Sequence, residues 1–274
     1  MPIISQNPLT ALDREAFGKL SYEAYGQVLQ IRKDLGRFFD EKHYKQALAH
    51  RRSDLILEAP ILVSHGSFKK FYFLDALLAL GGVLEFKAVE AILARHRAQL
   101  LHYLMLAQLR HGMLINVRPD RVTQEFVNNA LTRRDRLQFN ISREGWRSEL
   151  PGAARFEQLL SDLLHDWGTC LDLSLYEEAV THFCGSGGGV NQTAMVSLDG
   201  ESLGPKAMRF VEEGTAFKLT SFDDSESMAD FAFHGQKLVN HTNVEALLWA
   251  NIGRHEVVLR CLVPDGRQKE GGQK

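Results

Sequence analysis

The chain has 274 residues, of which 45% are hydrophobic and 24% charged, and its formal net charge is −2. This composition is typical of a folded protein of one or two domains, and it excludes a collagen-like chain, a disulfide-rich miniprotein and a mainly disordered polymer. No stretch approaches the roughly 18 unbroken apolar residues of a membrane span, and the N-terminus lacks the pattern of a secretory signal, so we expect no membrane partner.

The cysteines indicate a reducing compartment. Cys170, Cys184 and Cys261 are odd in number, widely spaced and without a CxxC pair. This pattern is typical of free thiols, so we expect a cytoplasmic protein. His182 and Cys184 have the spacing of two metal ligands, but no second pair completes a zinc site.

Charge is distributed unevenly along the chain. Residues 1–136 contain 20 basic and 14 acidic residues, whereas residues 137–274 contain 12 and 20, so the two halves carry +6 and −8. The basic half is therefore the better candidate to bind a polyanion, although a solvated surface of mixed charge is the alternative. The predicted contacts come from one short basic region: Arg32, Arg37, Lys42, Lys45 and Arg52.

The first part of the chain is predicted to form two helices and then a sheet. Residues 21–52 have helical periodicity, interrupted at Gly36, where one helix would end and the chain would turn. Residues 53–63 and 68–75 are rich in aliphatic and aromatic side chains and are predicted as strands.

A crossover unit follows. A Gly81–Gly82 turn leads to a strand over residues 83–87, a helix over 92–110 and a buried strand over 112–117. Because a helix connects these last two strands, we expect them to be parallel.

The second half has its own helices and strands. Residues 136–153 lose apolar periodicity and are predicted as a linker between domains at 1–135 and 154–264, and the tail 265–274 is predicted to be disordered. The predicted elements are a helix at 155–167, strands within 190–222, a helix at 226–248 and a strand at 255–263. The glycine run 185–189 lacks the Lys-Ser/Thr of a phosphate-binding loop and is predicted as a turn.

Three residues in the first half have the composition of a metal-dependent catalytic site. Glu85 and Lys87 lie on one face of their strand, and Asp75 on the neighbouring strand can join them. Two carboxylates with a carbonyl and waters form a hard oxygen site suited to Mg²⁺ or Mn²⁺, and Lys87 would hold the attacking water or a phosphate oxygen. The alternative is an ordinary edge hairpin with an outward Glu and Lys.

The register of this hairpin is a requirement of the site. A two-residue turn at Gly81–Gly82 would place Asp75 opposite Ala88, on the wrong face. A three-residue loop, or a bulge at a glycine, would set Asp75 opposite Lys87. We therefore predict an odd loop or a bulge here.

The helix that follows Lys87 carries further polar residues. His96, Gln99 and Tyr103 are spaced at i, i+3 and i+7, so they share a helical face. That face could point into the site, or simply to solvent.

Together these motifs resemble the PD-(D/E)XK nuclease superfamily in its RecB-like form, and most closely the family of GxxExxY proteins. The matching residues are Asp75, Glu85-x-Lys87, Gln99-x-x-x-Tyr103 and the helix phrase with Gly36, Glu41 and Tyr44. The sequence departs from the family pattern at Phe38, where the family has a glycine, and at Gln30, where a Glu is common.

The resemblance implies a fold and a set of roles. The fold is an α/β (α+β) restriction-endonuclease-like core, a central mixed sheet flanked by helices. It implies that Asp75 and Glu85 are metal ligands and that Lys87 is catalytic. Glu41 would be an additional carboxylate, and Gln99 and Tyr103 an accessory pair. The polyanion would then be nucleic acid, with DNA favoured over RNA on family grounds alone.

The second half contains a candidate degenerate copy of the first. Gly168, Asp172 and Tyr176 repeat Gly36, Asp40 and Tyr44 with a constant offset of 132, and Gln236 corresponds to Gln99. Phe217-Lys218 corresponds to Phe86-Lys87, which puts Leu173, Ala216 and Lys206 at the positions of Glu41, Glu85 and Asp75. Coincidence between two amphipathic segments is the alternative.

Two functions remain open from the sequence. The first is a metal-dependent phosphodiesterase that acts on nucleic acid through Asp75, Glu85 and Lys87. The second is a catalytically silent nucleic-acid-binding or assembly module on the same fold. The acidic second half is expected to bind a protein partner or a second copy of the chain, since its charge opposes nucleic-acid binding.

Overall fold

The computed structural model of the chain describes residues 2–184 and 192–266. The predicted glycine turn at 185–189, and the predicted disordered tail from residue 267 on, lie outside the described residues. The chain divides into two compact units, Met1–Asp135 and Arg136–Lys274. No helix in the described ranges is both long and apolar enough to cross a membrane.

The first unit is a six-stranded mixed sheet with three helices. Its elements are β1 (Ile3–Ser5), α1 (Arg14–Leu35), α2 (Glu41–Arg51), β2 (Leu55–His65), β3 (Phe68–Leu78), β4 (Gly82–Lys87), α3 (Ala94–Ala107), β5 (His111–Asn116) and β6 (Thr123–Asn128). The strands lie in the order β1-β2-β3-β4-β5-β6. Only β4 and β5 are parallel among these neighbours, as predicted for the crossover unit. The edge strands β1 and β6 were not predicted.

The two N-terminal helices are delimited by local signals. Asp13 caps α1 by accepting a hydrogen bond from the backbone N–H of Ala16. Gly36 ends α1 with a φ of 78°, a left-handed conformation that favours glycine. The predicted break at Gly36 is therefore confirmed, whereas α1 begins seven residues earlier than predicted, at Arg14.

The hydrophobic core of this unit lies between these helices and the centre of the sheet. Leu84 and Phe86 of β4 are fully buried against Val28, Tyr44 and Leu48 of the two helices. Burial of each such side chain stabilises the fold by about 1.5–3 kcal/mol, so this layer fixes α2 against β4.

The second unit repeats the core of this arrangement, but its N-terminal strand lies at the opposite edge of its sheet. The short helix α4 (Arg133–Arg136) spans the boundary between the units. The second unit then contains β7 (Asn140–Ser142), α5 (Ala153–Trp167), α6 (Leu173–Cys184), β8 (Gln192–Leu198), β9 (Glu201–Glu212), β10 (Thr215–Thr220), α7 (Ser225–Asn240), β11 (Ala246–Ile252) and β12 (Glu256–Leu262). The strand order is β7-β12-β11-β10-β9-β8. As in the first unit, two helices precede a three-stranded antiparallel part, and a helix connects two parallel strands.

Two predictions for the second half need correction. The segment predicted as a linker contains β7, which pairs with β12 and in which Ile141 is half-buried. The helix predicted over 226–248 ends at Asn240, since residues 246–248 belong to the fully buried strand β11. A short apolar run such as this one does not distinguish a buried helix from a buried strand.

The predicted correspondence between the halves holds at the level of elements. Phe86 and Phe217 lie on the equivalent strands β4 and β10, and Gln99 and Gln236 lie on the equivalent helices α3 and α7. Tyr44 donates its hydroxyl to the carbonyl of Gly36. Tyr176 makes the same contact with Gly168.

The loop between β3 and β4 has the predicted odd length but a different register. Ladder pairing ends at Leu78 and Gly82, which leaves three loop residues, and the positive φ values fall on Ala79 and Leu80 rather than on glycine. Continuing the register from the Ala76–Leu84 pair places Asp75 opposite Glu85, not opposite Lys87 as predicted.

The two glycines are needed for close packing. A Cβ on Gly81 would lie 2.0 Å from the backbone oxygen of Thr10 and 2.7 Å from Leu12 Cγ. A Cβ on Gly82 would lie 2.5 Å from the ring of Phe17. The N-terminal segment and α1 therefore pack directly on this loop, which the local sequence could not indicate.

This packing makes Gly81 sensitive to substitution. We expect Gly81→Ala to lower the free energy of unfolding by about 1–3 kcal/mol, because the contacting Thr10 oxygen is backbone and cannot rotate away. Gly26→Ala in α1 is the matched control, since its Cβ would meet nothing within 4 Å, and it should stabilise by roughly 0.5–1 kcal/mol. Urea unfolding followed by circular dichroism measures both, and equal effects would contradict the packing.

Candidate active site

The candidate site lies where β3 and β4 stop pairing. Backbone pairing between them starts at the loop with Leu78 and Gly82 and stops at the other end with Ala76 and Leu84. Beyond that point the carboxylate of Asp75 replaces a backbone partner, since its Oδ2 accepts a hydrogen bond of 2.9 Å from the backbone N–H of Phe86. This contact fixes the carboxylate of Asp75 beside Glu85.

Glu85 is a buried carboxylate with one unused oxygen. Its side chain is only 2% exposed, and its Oε1 accepts a hydrogen bond of 2.7 Å from Lys87 Nζ. Its Oε2 is buried and has no hydrogen-bond partner. Burial, and next the negative charge of Asp75, raise the pKa of Glu85 to about 7, although Lys87 opposes this shift.

Lys45 also lies in this site. Its Nζ donates to Asp75 Oδ1 at 2.8 Å and to the carboxylate of Glu58, and its side chain is largely buried. Burial alone would lower the pKa of Lys45, but the hydrogen bonds to Asp75 and Glu58 hold it above its ordinary value. The structure therefore places a residue predicted to contact nucleic acid next to the predicted metal ligands.

Glu58 is a site residue that was not predicted. It interrupts the pairing of β2 with β3, and its φ of 51° is uncommon for a residue other than glycine. The distortion lies beside Asp75, where the side chain of Glu58 reaches Lys45. The one available signal is that Glu58 is the only charged residue in the apolar stretch LILEAPILV.

Two side chains fix the chain just after Lys87. Glu41, the first residue of α2, accepts a hydrogen bond of 2.7 Å from the backbone N–H of Ala88. Asn116 of β5 donates to the oxygen of Val89 at 2.7 Å and accepts from its N–H at 3.1 Å. These contacts close the end of β4, so Glu41 lies near the site as the resemblance implies.

The predicted accessory pair of α3 is also close. Gln99 Nε2 donates to the hydroxyl of Tyr103 at 3.0 Å. Burial raises the pKa of Tyr103, and the charges of Glu85 and Asp75 raise it further. The charges of both carboxylates therefore act on the Tyr103 hydroxyl. His96, on the same helix, is buried and accepts a hydrogen bond from the backbone of Leu93.

The remaining residues predicted to contact nucleic acid differ in how exposed their side chains are and in the partners that they already have. Arg52 has a side chain only 8% exposed and pairs with Asp54 and Glu23. Arg32 donates to the backbone oxygens of residues 117 and 119. Lys42 is exposed, and Arg37 is partly exposed and paired with Asp120. Lys42 and Arg37 are thus the more accessible of the set.

The residues of this site suit a hard divalent cation. In the part of the chain that the structure describes, no group of three or more His, Cys, Asp and Glu side chains could hold a metal ion. The candidate ligands are therefore two carboxylates, Asp75 and Glu85. The partnerless Oε2 of Glu85 is an oxygen of the type that Mg²⁺ and Mn²⁺ prefer.

The second unit has a similar strand arrangement, but two of the charged positions of the site carry the opposite charge. Asn251 holds Phe222 by the same pair of amide hydrogen bonds through which Asn116 holds Val89. Asn251 pairs with Thr220 as Asn116 pairs with Lys87, so Thr220 corresponds to Lys87. Two residues earlier on each strand, Lys218 therefore corresponds to Glu85. The predicted equivalence of Ala216 with Glu85 is thereby corrected.

The charged residue that the helix contributes also has the opposite sign in the second unit. Glu177 follows Tyr176 as Lys45 follows Tyr44, and its carboxylate binds Arg209 at 2.7 Å and Lys218 at 3.5 Å. Arg209, rather than the predicted Lys206, is the β9 residue that reaches this point. Two cations around one carboxylate would repel a divalent cation.

Comparison with known proteins supports the first unit as a nuclease-type domain. A family model described as the PD-(D/E)XK nuclease superfamily matches residues 18–128. This superfamily consists generally of hydrolytic nucleases that use divalent metals such as Mg²⁺. A solved structure described as "Crystal structure of SSO0001" is 21% identical, with a TM-score of 0.30, over 42% of this chain and 63% of that chain. No curated protein matches the chain.

The raised pKa of Glu85 predicts a pH dependence of stability without metal. Between pH 4.5, its ordinary pKa, and about 7, the folded state holds a proton that the unfolded state has lost. The free energy of unfolding should therefore fall, by on the order of 2–3 kcal/mol, as pH rises through this window. Glu85→Gln should remove this fall, whereas exposed Glu90→Gln should keep it. Chemical unfolding in chelator from pH 4.5 to 8 tests this, and parallel curves for wild type and Glu85→Gln would contradict it.

Proposed function

We propose that the first unit is a metal-dependent phosphodiesterase that cleaves nucleic acid, with DNA as the favoured substrate. The observation that carries this proposal is the buried, partnerless Oε2 of Glu85 beside Asp75, with Lys87 bound to the other oxygen of Glu85. A buried carboxylate oxygen without a partner is costly, and a bound divalent cation would relieve that cost.

Each site residue has a role in this proposal. Asp75 and Glu85 hold Mg²⁺ or Mn²⁺, which when bound polarises a phosphate oxygen of the substrate. Lys87 orients the attacking water or stabilises charge on the phosphate, since its ammonium is already held at the carboxylate of Glu85. Glu41 fixes the backbone that follows Lys87, and Gln99 and Tyr103 limit the rotation of each other's polar groups beside the site.

The helix phrase with Gly36, Glu41 and Tyr44 supports placement of this unit in the GxxExxY group of the superfamily, in a long form with a degenerate second half. Tyr44 anchors α2 to the carbonyl of Gly36, and this positions Glu41 at the end of β4.

The three cysteines, none of them in a disulfide, fit a cytoplasmic location.

For the second unit we propose a silent binding or assembly role. Glu177 lies between Arg209 and Lys218, so the position of the carboxylates in the first unit is cationic here. The net charge of −8 over residues 137–274 opposes general binding to nucleic acid, and it favours a protein partner or a second copy of the chain.

The catalytic proposal is tested by single substitutions. Asp75→Ala, Glu85→Ala and Lys87→Ala should each lower Mg²⁺-dependent cleavage of a labelled oligonucleotide by at least about a hundredfold, because each removes a group that acts on the phosphate. Glu90→Ala, which removes an exposed carboxylate three residues after Lys87, is the matched control and should leave the rate unchanged.

The outcomes of this experiment are distinct. Circular dichroism verifies that each variant is folded, and chelator should abolish the wild-type activity. Full metal-dependent activity in Glu85→Ala would show that another site carries the reaction.

The binding surface of the first unit is tested by salt dependence. Arg37→Gln and Lys42→Gln should each weaken DNA binding and reduce the slope of log affinity against log salt by about one, because each removes one phosphate contact. Arg254→Gln, which removes an exposed arginine of the second unit, should change neither quantity. An unchanged slope in the double variant, measured by fluorescence anisotropy, would place the binding surface elsewhere.

A further inference from the structure

The outer part of the first sheet carries an exposed apolar strip. Phe71 and Phe73 of β3 are 48% and 49% exposed, and their rings stack with centroids 6.4 Å apart and planes 24° apart. Leu62 pairs with Phe71 and Pro60 pairs with Phe73 on β2. Ile4 of β1, also exposed, pairs with Leu62 and extends the strip toward the sheet edge.

The core of the unit does not account for this strip. Tyr72, between the two phenylalanines, contacts α3, with its ring 4.9 Å from that of His102 and 6.1 Å from that of Tyr103. Successive side chains of a strand point to opposite faces, so Phe71 and Phe73 face away from α3. A solvated sheet face is ordinarily polar, and adjacent exposed aromatic rings indicate a surface that binds something.

The strip leads into the candidate active site. Along the ladder, the Phe73–Pro60 pair is followed by Leu74–Ala59 and then by Asp75 beside Glu58. With a strand rise of about 3.3 Å per residue, the Cα atoms of Phe73 and Asp75 are roughly 7 Å apart. Asp75 is thus the site residue nearest to the rings. Glu85 and Lys87 point to the α3 face, so a strand stacked on the rings would reach them through the opening where β3 and β4 stop pairing.

Charge favours the same occupant. Lys69, two residues before Phe71, is exposed and can meet a phosphate at the far end of the strip. Aromatic side chains that alternate with cationic groups are typical of surfaces that bind single strands, because every base has a face that can stack. The bases of a duplex already stack on each other and cannot use such rings without unpairing.

We propose that Phe71 and Phe73 stack unpaired bases of the substrate strand, so that the site acts on single-stranded or locally unpaired nucleic acid. This inference rests on the proposed nuclease function and specifies its substrate. A second copy of the chain could also cover an apolar strip, but the continuity of the strip with Asp75 and the position of Lys69 favour the substrate.

The test compares single-stranded with duplex binding in the full-length protein. Fluorescence anisotropy in chelator, with a labelled oligothymidine and a blunt duplex of equal length, is measured for wild type, Phe71→Ala, Phe73→Ala and the double variant. Each lost ring should weaken single-strand binding roughly tenfold and leave duplex binding unchanged. Phe71→Trp should retain binding, and its fluorescence should be quenched by the single strand but not by the duplex.

Phe126→Ala is the matched control. Phe126 is 49% exposed, lies in the same unit and sits on β6, at the opposite edge of the sheet from β1. Its substitution should have no effect on either affinity. A thermal unfolding curve for each variant verifies that the lost affinity is not a loss of fold.

The outcomes separate this inference from the function on which it rests. If wild type binds the single strand and the double variant binds it equally well, the stacking proposal is overturned, whatever the cleavage assay shows. If the rings carry single-strand binding but neither Mg²⁺ nor Mn²⁺ supports cleavage, the stacking proposal stands and the nuclease proposal fails. A dimeric wild type that becomes monomeric in the double variant, with unchanged single-strand affinity, would assign the strip to self-association.

Discussion

The repulsion between two carboxylates in the gap between β3 and β4 is the constraint on which the candidate site of the first unit depends. Asp75 and Glu85 lie side by side, and the pKa of Glu85 rises because burial and the charge of Asp75 both disfavour ionisation. Two like charges can stay in such a gap only if each has a cation or a proton. Helix α2 supplies Lys45 to Asp75, and β4 supplies Lys87 to Glu85. The position of α2 against the sheet is therefore as important to the site as the strands that carry the carboxylates.

The pairing of Lys45 with both Asp75 and Glu58 bears on how a divalent cation could enter. A metal ion at Asp75 competes with the ammonium of Lys45, because both need the lone pairs of the same carboxylate. Glu58 already binds Lys45, so the ammonium would keep an ionic partner if Asp75 bound a metal ion. The unusual backbone of Glu58 has a physical rationale in this arrangement, since it brings a partly exposed carboxylate next to a buried lysine. Loss of Glu58 would leave Lys45 bound to Asp75 alone.

Local signals were enough for most helices and central strands of the fold and for the face shared by Glu85 and Lys87. They were not enough for the edge strands β1, β6 and β7 or for the contacts between distant segments. The break at Gly36 and the face shared by Glu85 and Lys87 follow from rules that operate within a few residues. The role of Lys45 could not be predicted, because a lysine in a basic helix looks like a surface residue until its helix is placed on the sheet. The register at Asp75 depends on the loop at residues 79–81, whose left-handed positions are Ala79 and Leu80 rather than the two glycines. Gly81 instead packs against the distant Thr10, a contact that the local sequence does not indicate.

Comparison of the two units distinguishes the hydrogen bonds that stabilise this fold from the charged residues of the candidate site. Both keep the tyrosine that binds a glycine carbonyl at the end of the preceding helix, and both keep the asparagine amide that holds the segment after the central strand. The charges between these anchors are reversed, with Glu177 and Lys218 at the positions of Lys45 and Glu85. The anchors are neutral hydrogen bonds to backbone, so they do not depend on the sign of the charges nearby. The carboxylates of the first unit are therefore not needed to form the sheet, and their costly burial is better explained by the cation they would bind than by stability.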